Sequence, residues 1–256
     1  HVINQMVTRD NFETWAKAEQ GVAATRVATS LANPEAAGAT DPIMVATTET
    51  DKGGLQRTVA IPERVEMAAR RARRWIDLRN KPNHEKRLVI LYYNNPPGKG
   101  NLGASYLNLP PSIRAVLERL RQEGYQVGTY IPRAEQIIAS LEKVGRNVET
   151  WAPGELTRML GEGGVTLLPL ERYREWFNRL PKSFRDFVEA RWGKPEAARL
   201  MTWRSPEGRL FFVIPGMRLG NIFLGPQLLR ASFDEYTNVQ HSATLPPYHG
   251  YVAAYL

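Results

Sequence analysis

The stretch Arg87-Leu-Val-Ile-Leu-Tyr-Tyr93 runs directly into Asn94-Asn-Pro-Pro-Gly-Lys-Gly100-Asn-Leu-Gly-Ala-Ser-Tyr-Leu-Asn108. The first part is apolar and reads as a buried strand. The second is dense in Gly, Asn and Pro and reads as a loop. Pro110, Pro111 and Ser112 then open an amphipathic helix with Ile113, Val116, Leu117 and Leu120 on one face, ending near Gly124. Strand, glycine-rich loop, helix is how an α/β sheet presents a ligand site at the carboxyl end of a strand. Gly98, Gly100 and Gly103 permit positive φ or close approach of a ligand to the backbone. Val127-Gly-Thr-Tyr-Ile131 reads as the next strand, which gives a parallel, right-handed strand–helix–strand unit. The expected fold is α/β: a mainly parallel Rossmann-like sheet flanked by helices, with an irregular C-terminal motif region.

On the amino side, Asp10 with Glu13 three residues on suggests a capped helix, 32–38 a loop, 42–48 a strand and Asp51-Lys-Gly-Gly54 a turn. Pro62 to Arg79 is a long helix. Val65, Ala69, Ala72 and Ile76 recur at helical spacing, and Arg70, Arg71, Arg73, Arg74 and Arg79 fill the other positions as a solvated face. On the carboxyl side, 134–144 and 153–160 read as helices and 165–168 as a strand. Residues 169–200 are helical, with Tyr173, Trp176, Phe177, Phe184, Phe187 and Trp192 as a core-facing stripe. Arg209 to Ile214 is the last clear strand, after which the sequence turns irregular. Two parts are expected: an N-terminal α/β segment with the basic helix over 1–82, and a Rossmann-like part over 83–256.

The chain of 256 residues is 43% hydrophobic and 23% charged, enough for a sizeable core. Its formal charge of +8 favours anionic partners. With no cysteine, thiolate metal sites, disulfides and cysteine nucleophiles are excluded. No run approaches the 18 or so apolar residues a membrane span needs. The basic helix has only Trp75 among its arginines, which argues against nucleic-acid binding. The chain begins with His1 and ends on an apolar run, so both ends read as cuts inside a longer protein.

Gly98-Lys-Gly-Asn-Leu-Gly103 satisfies G-x-G-x-x-G, yet fits a dinucleotide site badly. Pro96 and Pro97 stiffen its entry, Pro110 and Pro111 interrupt any helix starting on the third glycine, and 127–131 is followed by no acid to hold a ribose. No P-loop pattern occurs, so ATP, if used, is bound elsewhere. The other polar concentration is C-terminal. His241 and His249 lie there, seven residues intervening, which is not a helical pair. Imidazole can ligate a divalent metal or accept a proton near neutral pH. Asp234, Glu235 and Tyr251 could assist, and polar anchoring of a long loop is the other reading of these residues.

The run Asn83 to Asn108, with the arginine-rich helix before it, resembles the large subunit of cobaltochelatase (CobN-like) and the H subunit of magnesium chelatase. The tail Gly220-Asn, Gly225-Pro-Gln227, His241 and Pro246-Pro-Tyr-His249-Gly-Tyr251 resembles that family's second signature. Two motifs in the right order are more specific than either alone. The likeness covers about 60–135 and 209–256. It departs at Gln227-Leu-Leu-Arg230-Ala231, where the family usually reads Gln-Pro-x-Arg-Gly, and at Gln240, where a Tyr is usual.

The resemblance implies a cytoplasmic tetrapyrrole-binding subunit of an ATP-dependent chelatase. It would insert a divalent metal, cobalt first and magnesium second, into a porphyrin- or corrin-type macrocycle, with ATP bound by AAA+ partner subunits. His241 and His249 would be catalytic, as metal ligand or proton acceptor. Asn221, Gln227 and Arg230 would hold ring carboxylates, Tyr251 would stack on the ring or donate to it, and Asn101 would share the cleft. A haem-handling, dechelating relative and a non-catalytic tetrapyrrole-binding module are the alternatives.

Overall fold

A computed structural model describes residues 2–18, 22–94, 102–103, 106–148, 154–230 and 245–256. The chain divides into two compact units, His1–Lys81 and Pro82–Leu256.

The first unit is built on a three-stranded sheet. β1 (Val2–Val7) pairs parallel with β2 (Ala39–Thr50), and β3 (Gln56–Ala60) pairs antiparallel with the other edge of β2. α1 (Phe12–Lys17) is capped by Asn11, whose Oδ1 accepts from the Thr14 amide at 2.8 Å. The cap thus falls one residue after Asp10, whose carboxylate is engaged by the Thr8 hydroxyl. The short α2 (Asn33–Ala36) replaces an expected loop.

The basic helix is α3 (Pro62–Asn80), with proline in its first turn where no amide partner is needed. Its inward face is rotated from the expected stripe. Ala68 is buried, whereas Val65 and Ile76 are 44% and 56% exposed. Arg70 pairs with Glu66 and Arg73 with Asp77 one turn away, and Arg71 reaches Asp41 at 3.1 Å. These pairings fit the solvated face read from the sequence.

In the second unit β4 (Leu88–Asn94) forms as expected, but its neighbours differ. Its parallel partner is β10 (Ile222–Pro226), in register from Leu88 opposite Ile222 to Tyr92 opposite Pro226. β9 (Met217–Leu219) and β5 (Leu102–Gly103) complete the sheet antiparallel, in the order β5-β4-β10-β9. The α/β class stands, with helices flanking the sheets. The sheets are mixed rather than mainly parallel: β1–β2 and β4–β10 are parallel, and the other pairs are antiparallel.

The expected strand at 127–131 does not form. Val127 is buried in the core, but Gly128 turns the chain at φ +85°. Gly220, at φ +61°, passes against the same segment, and the Asn221 amide donates to the Gln126 carbonyl at 2.8 Å. A Cβ on Gly220 would stand 2.6 Å from that carbonyl oxygen, so two backbones meet where a strand would need side-chain room. The stretch read as irregular after residue 214 instead supplies the sheet's inner strand.

α4 (Leu109–Gln122) and α5 (Ala134–Val144) cover one face of this sheet. Leu109, Ile113, Leu117, Ile137 and Leu141 pack there against Tyr92, Ile222 and Leu224. Each such fully buried aliphatic side chain contributes about 1.5–3 kcal/mol. Pro110 and Pro111 lie inside the first turn of α4 rather than breaking a helix begun at Gly103. Along β4 burial alternates, and Val89, Leu91 and Tyr93 on the opposite face remain exposed. The run is therefore one-faced, not the doubly buried strand its continuous apolarity suggests.

The remaining elements surround an antiparallel sheet, order β6-β8-β7, of β6 (Thr166–Pro169), β7 (Thr202–Arg204) and β8 (Leu210–Ile214). α6 (Glu155–Glu162) precedes it. α7 (Leu170–Phe177) and α8 (Lys182–Trp192) divide the expected helical stretch between them. The aromatic stripe turns inward at Tyr173 and Phe177, which are fully buried, while Phe187 is 39% exposed. The tail forms a further helix, α9 (His249–Tyr255), whose Val252 and Ala253 join the same core.

Candidate functional site

The carboxyl ends of β4 and β10 lie side by side because the two strands are parallel and in register. Asn94 ends β4 and is 1% exposed; Asn147, just beyond α5, is 3% exposed. The Asn147 amide N–H donates to Asn94 Oδ1 at 2.8 Å. Its side-chain Nδ2 donates to the carbonyls of Gln227 at 3.0 Å and Asn94 at 3.4 Å, and its Oδ1 accepts from the Leu229 amide at 3.3 Å. One buried side chain thus ties the end of β4 to the exit of β10 and satisfies backbone groups that no ladder reaches. Tyr92 adds a bond from its hydroxyl to the Gly145 carbonyl. Burial pushes the Tyr92 phenol above its ordinary pKa, so the hydroxyl stays a donor. Next to this node Arg146 is 6% exposed and ion-paired with Glu155. Burial, with Arg158 nearby, lowers its pKa, and its Nε has no hydrogen-bond partner among the described residues.

The exit of β10 carries the candidate ligands. Gln227 presents an exposed side chain while its amide donates to the Tyr92 carbonyl at 2.8 Å. Arg230 reaches forward with Nη2 to the Leu245 carbonyl at 3.2 Å, and its own carbonyl accepts from the Tyr248 amide at 3.1 Å. The two ends of the segment 231–244 are thereby clasped together at the strand exit. His241 belongs to that segment and Asn101 to the stretch after β4; both lie outside the described residues, as does most of the Gly98–Gly103 loop. Gly103 is described, sits in β5 and has open space where a Cβ would stand.

Asn221 does not join this group. It precedes β10, at the opposite end of the strand from Gln227, roughly 20 Å away at ~3.3 Å per residue. Its side chain donates to the His84 carbonyl at 2.9 Å and holds the entry to β4.

His249 is 1% exposed and opens α9. Its Nδ1 lies 2.7 Å from the Tyr173 hydroxyl and its Nε2 2.8 Å from the Gly193 carbonyl. A carbonyl only accepts, so Nε2 carries the hydrogen and the Nδ1 lone pair receives the tyrosine hydrogen. The ring also packs edge-on against Tyr173 and Phe177. Burial lowers the His249 pKa, against the smaller opposing pull of the Gly193 carbonyl and Glu189. In this arrangement the imidazole is neutral with both nitrogens engaged, and neither is open to a metal or an exchanging proton. No group of three or more His, Cys, Asp or Glu side chains able to hold a metal occurs among the described residues. Tyr251 stands one turn into α9 with its ring 4.6 Å from that of Tyr255. Burial is the main reason the Tyr255 phenol is pushed up to about 12.

A cavity of about 360 Å³ is lined by Arg191, Trp192, Arg199, Leu200, Tyr248 and His249, among others. Asn147, Tyr173, Trp192 and Arg199 were not singled out as site residues from the sequence. Asn147 follows the glycine closing α5, a position that reads as turn chemistry, and Tyr173 reads as core.

Among the described residues no helix is long and apolar enough to cross a membrane. The family model described as CobN/Magnesium Chelatase matches residues 1–256. The aerobic cobaltochelatase subunit CobN of Pseudomonas aeruginosa is 30% identical over 99% of this chain and 20% of its own length. The chloroplastic magnesium-chelatase subunit ChlH of Oryza sativa subsp. indica is 30% identical over 95% of this chain and 16% of its own. A solved structure, the catalytic subunit of cobaltochelatase from Mycobacterium tuberculosis, superposes with a TM-score of 0.74 at 29% identity, covering 97% of this chain and 20% of that one. The chain thus spans about a fifth of the length of these relatives. A match over every residue, joined to the same fold in a cobaltochelatase subunit, places this chain in the CobN/magnesium chelatase family.

Proposed function

We propose that this chain forms part of the macrocycle-holding wall of a chelatase large subunit, in which a divalent metal ion replaces two pyrrole protons of a tetrapyrrole. The observation that carries the reading is the family match along the whole chain, and the parallel, in-register pairing of β4 and β10 supports it by setting Asn94 and Gln227 at neighbouring strand ends. The segment carrying Asn101 leaves from β4, and the segment carrying His241 is clasped at the exit of β10. Gln227 and Arg230 stand at that edge to bind ring carboxylates, and the Asn147 node fixes the backbone beneath them.

The chemistry assigns the remaining roles. Two N–H protons must leave, the metal must shed water, and the anionic periphery of the ring must be held. With His249 committed to Tyr173 and Gly193, the roles of proton acceptor and metal ligand fall to His241. Asn101 shares its cleft, and Tyr251 stacks on the ring or donates a hydrogen bond to it. ATP hydrolysis by AAA+ partner subunits, and cobalt ahead of magnesium as the metal, belong to the same proposal. So do the division of roles between 1–82 and 83–256 and a cytoplasmic setting.

The test uses the full-length protein with its partner ATPase subunits, a porphyrin or corrin free base, and Co²⁺ or Mg²⁺. Insertion is read from the absorption change of the macrocycle. ATP-dependent insertion that His241→Ala lowers by about 10²–10⁴-fold, the usual range for a lost acid–base group, supports the reading. Spectral binding of the macrocycle with no metal uptake under any condition would reduce the chain to a binding module.

A further inference from the structure

The cavity beside Tyr248 is not used in the roles assigned above. Its walls combine two guanidinium groups, Arg191 and Arg199, with the rings of Trp192 and Tyr248. The Arg191 guanidinium lies 5.6 Å from the centre of the Trp192 ring. The Trp192 indole donates to the Pro246 carbonyl at 2.9 Å, and the rings of Trp192 and Tyr248 meet edge to face at 6.3 Å. These contacts fix the aromatic wall. Arg199 is exposed on the cavity rim and forms no ion pair among the described residues. Tyr248, which lines the cavity, donates its amide to the carbonyl of Arg230 at 3.1 Å.

At about 360 Å³ the cavity lies within the range of small-ligand sites. It is too small for a whole macrocycle and large enough for one pyrrole edge with its acidic side chain. An aromatic wall beside a guanidinium with no ion pair among the described residues suits such a group: the ring edge packs on the aromatics, and the carboxylate meets a planar pair of N–H donors. We infer that Arg199 is a carboxylate-recognising residue that selects macrocycles bearing a free acid side chain on this edge. The inference rests on the proposed tetrapyrrole role and adds to it a specificity determinant outside both family motifs.

The experiment titrates full-length protein with deuteroporphyrin IX and, separately, with its dimethyl ester, following the absorption band of the porphyrin. Wild type should bind the free acid more tightly than the ester. Arg199→Ala should weaken free-acid binding by about tenfold and leave ester binding within twofold, at an unchanged melting temperature. Arg199→Lys, which keeps the charge but loses the fork, should fall between. Equal losses for acid and ester, or no loss for either, overturn the Arg199 assignment while leaving the tetrapyrrole role intact. Failure of wild type to bind either porphyrin overturns both.

Discussion

His249→Ala separates a structural histidine from a catalytic one. The substitution removes a hydrogen bond to the buried Tyr173 hydroxyl and one to the partly buried Gly193 carbonyl. A buried donor left without a partner costs about 1–3 kcal/mol, and the Tyr173 end falls near the top of that range. Water can reach the Gly193 end, so about 1 kcal/mol is the upper figure there. Losing the ring from between Tyr173 and Phe177 adds about 1–2 kcal/mol of packing. The total expected loss is about 3–6 kcal/mol, read from urea unfolding followed by tryptophan fluorescence. Tyr173→Phe alone should cost less, and the pair should couple by about 0.5–3 kcal/mol in a double-mutant cycle, as touching residues do. The same variant has a pH signature. Because the folded pKa of His249 is depressed, the unfolded chain takes up the proton first as pH falls below about 6.5. Wild type should lose stability there at up to ~1.4 kcal/mol per pH unit relative to His249→Ala, and the difference should flatten at higher pH. A variant that unfolds within ~0.5 kcal/mol of wild type yet has lost all metal insertion would refute this reasoning and return His249 to the chemistry.

Asn147→Ala leaves the Gln227 carbonyl and Leu229 amide without their partner and should lose about 2–4 kcal/mol of stability, with weakened porphyrin binding at permissive temperature; unchanged binding would sever the node from the site. Gln227→Ala should weaken porphyrin binding by about ten- to hundredfold, as for one lost hydrogen bond to a charged group, whereas Asn221→Ala should change it by less than twofold; the reverse order in an absorption titration would count against the strand-exit site. Gly220→Ala drives a methyl into the Gln126 carbonyl and demands positive φ of an alanine, so a loss of at least about 2 kcal/mol is expected in denaturant unfolding. A wild-type melting curve for Gly220→Ala would mean the backbones at Gly128 and Gly220 are not in contact.

The elements with strong periodicity were legible: β2, β4, β8, α3, α4 and α5 all form where apolar spacing puts them. The misreadings share a cause. β10 contains Gly225 and ends on Pro226, residues that ordinarily mark loops, and its identity as a strand comes only from a partner in β4 far away in sequence. Val127 to Ile131 has strand composition, but a single glycine against a second backbone overrides it. In the candidate site, Gln227 and Arg230 both lie at the exit of β10. Asn221 was grouped with them because six residues of linear separation hide a strand's full length. His249 looked available because sequence shows an imidazole but not the Tyr173 hydroxyl facing it, 76 positions away.

The clasp between Arg230 and the 245–248 backbone bears on how such a protein can diversify. A chain segment anchored at both ends adds only ~0.6 kcal/mol of closure entropy for each doubling of its length. The anchors are a guanidinium on a carbonyl and one backbone bond, and neither constrains the identities of residues 231–244. The closure cost of a change in the length of that segment is therefore small. The departures at Ala231 and Gln240 fall inside it, whereas Asn147 and the β4–β10 register lie outside. Length is thus the property of this segment that can vary at the least closure cost to the strand exit that anchors it.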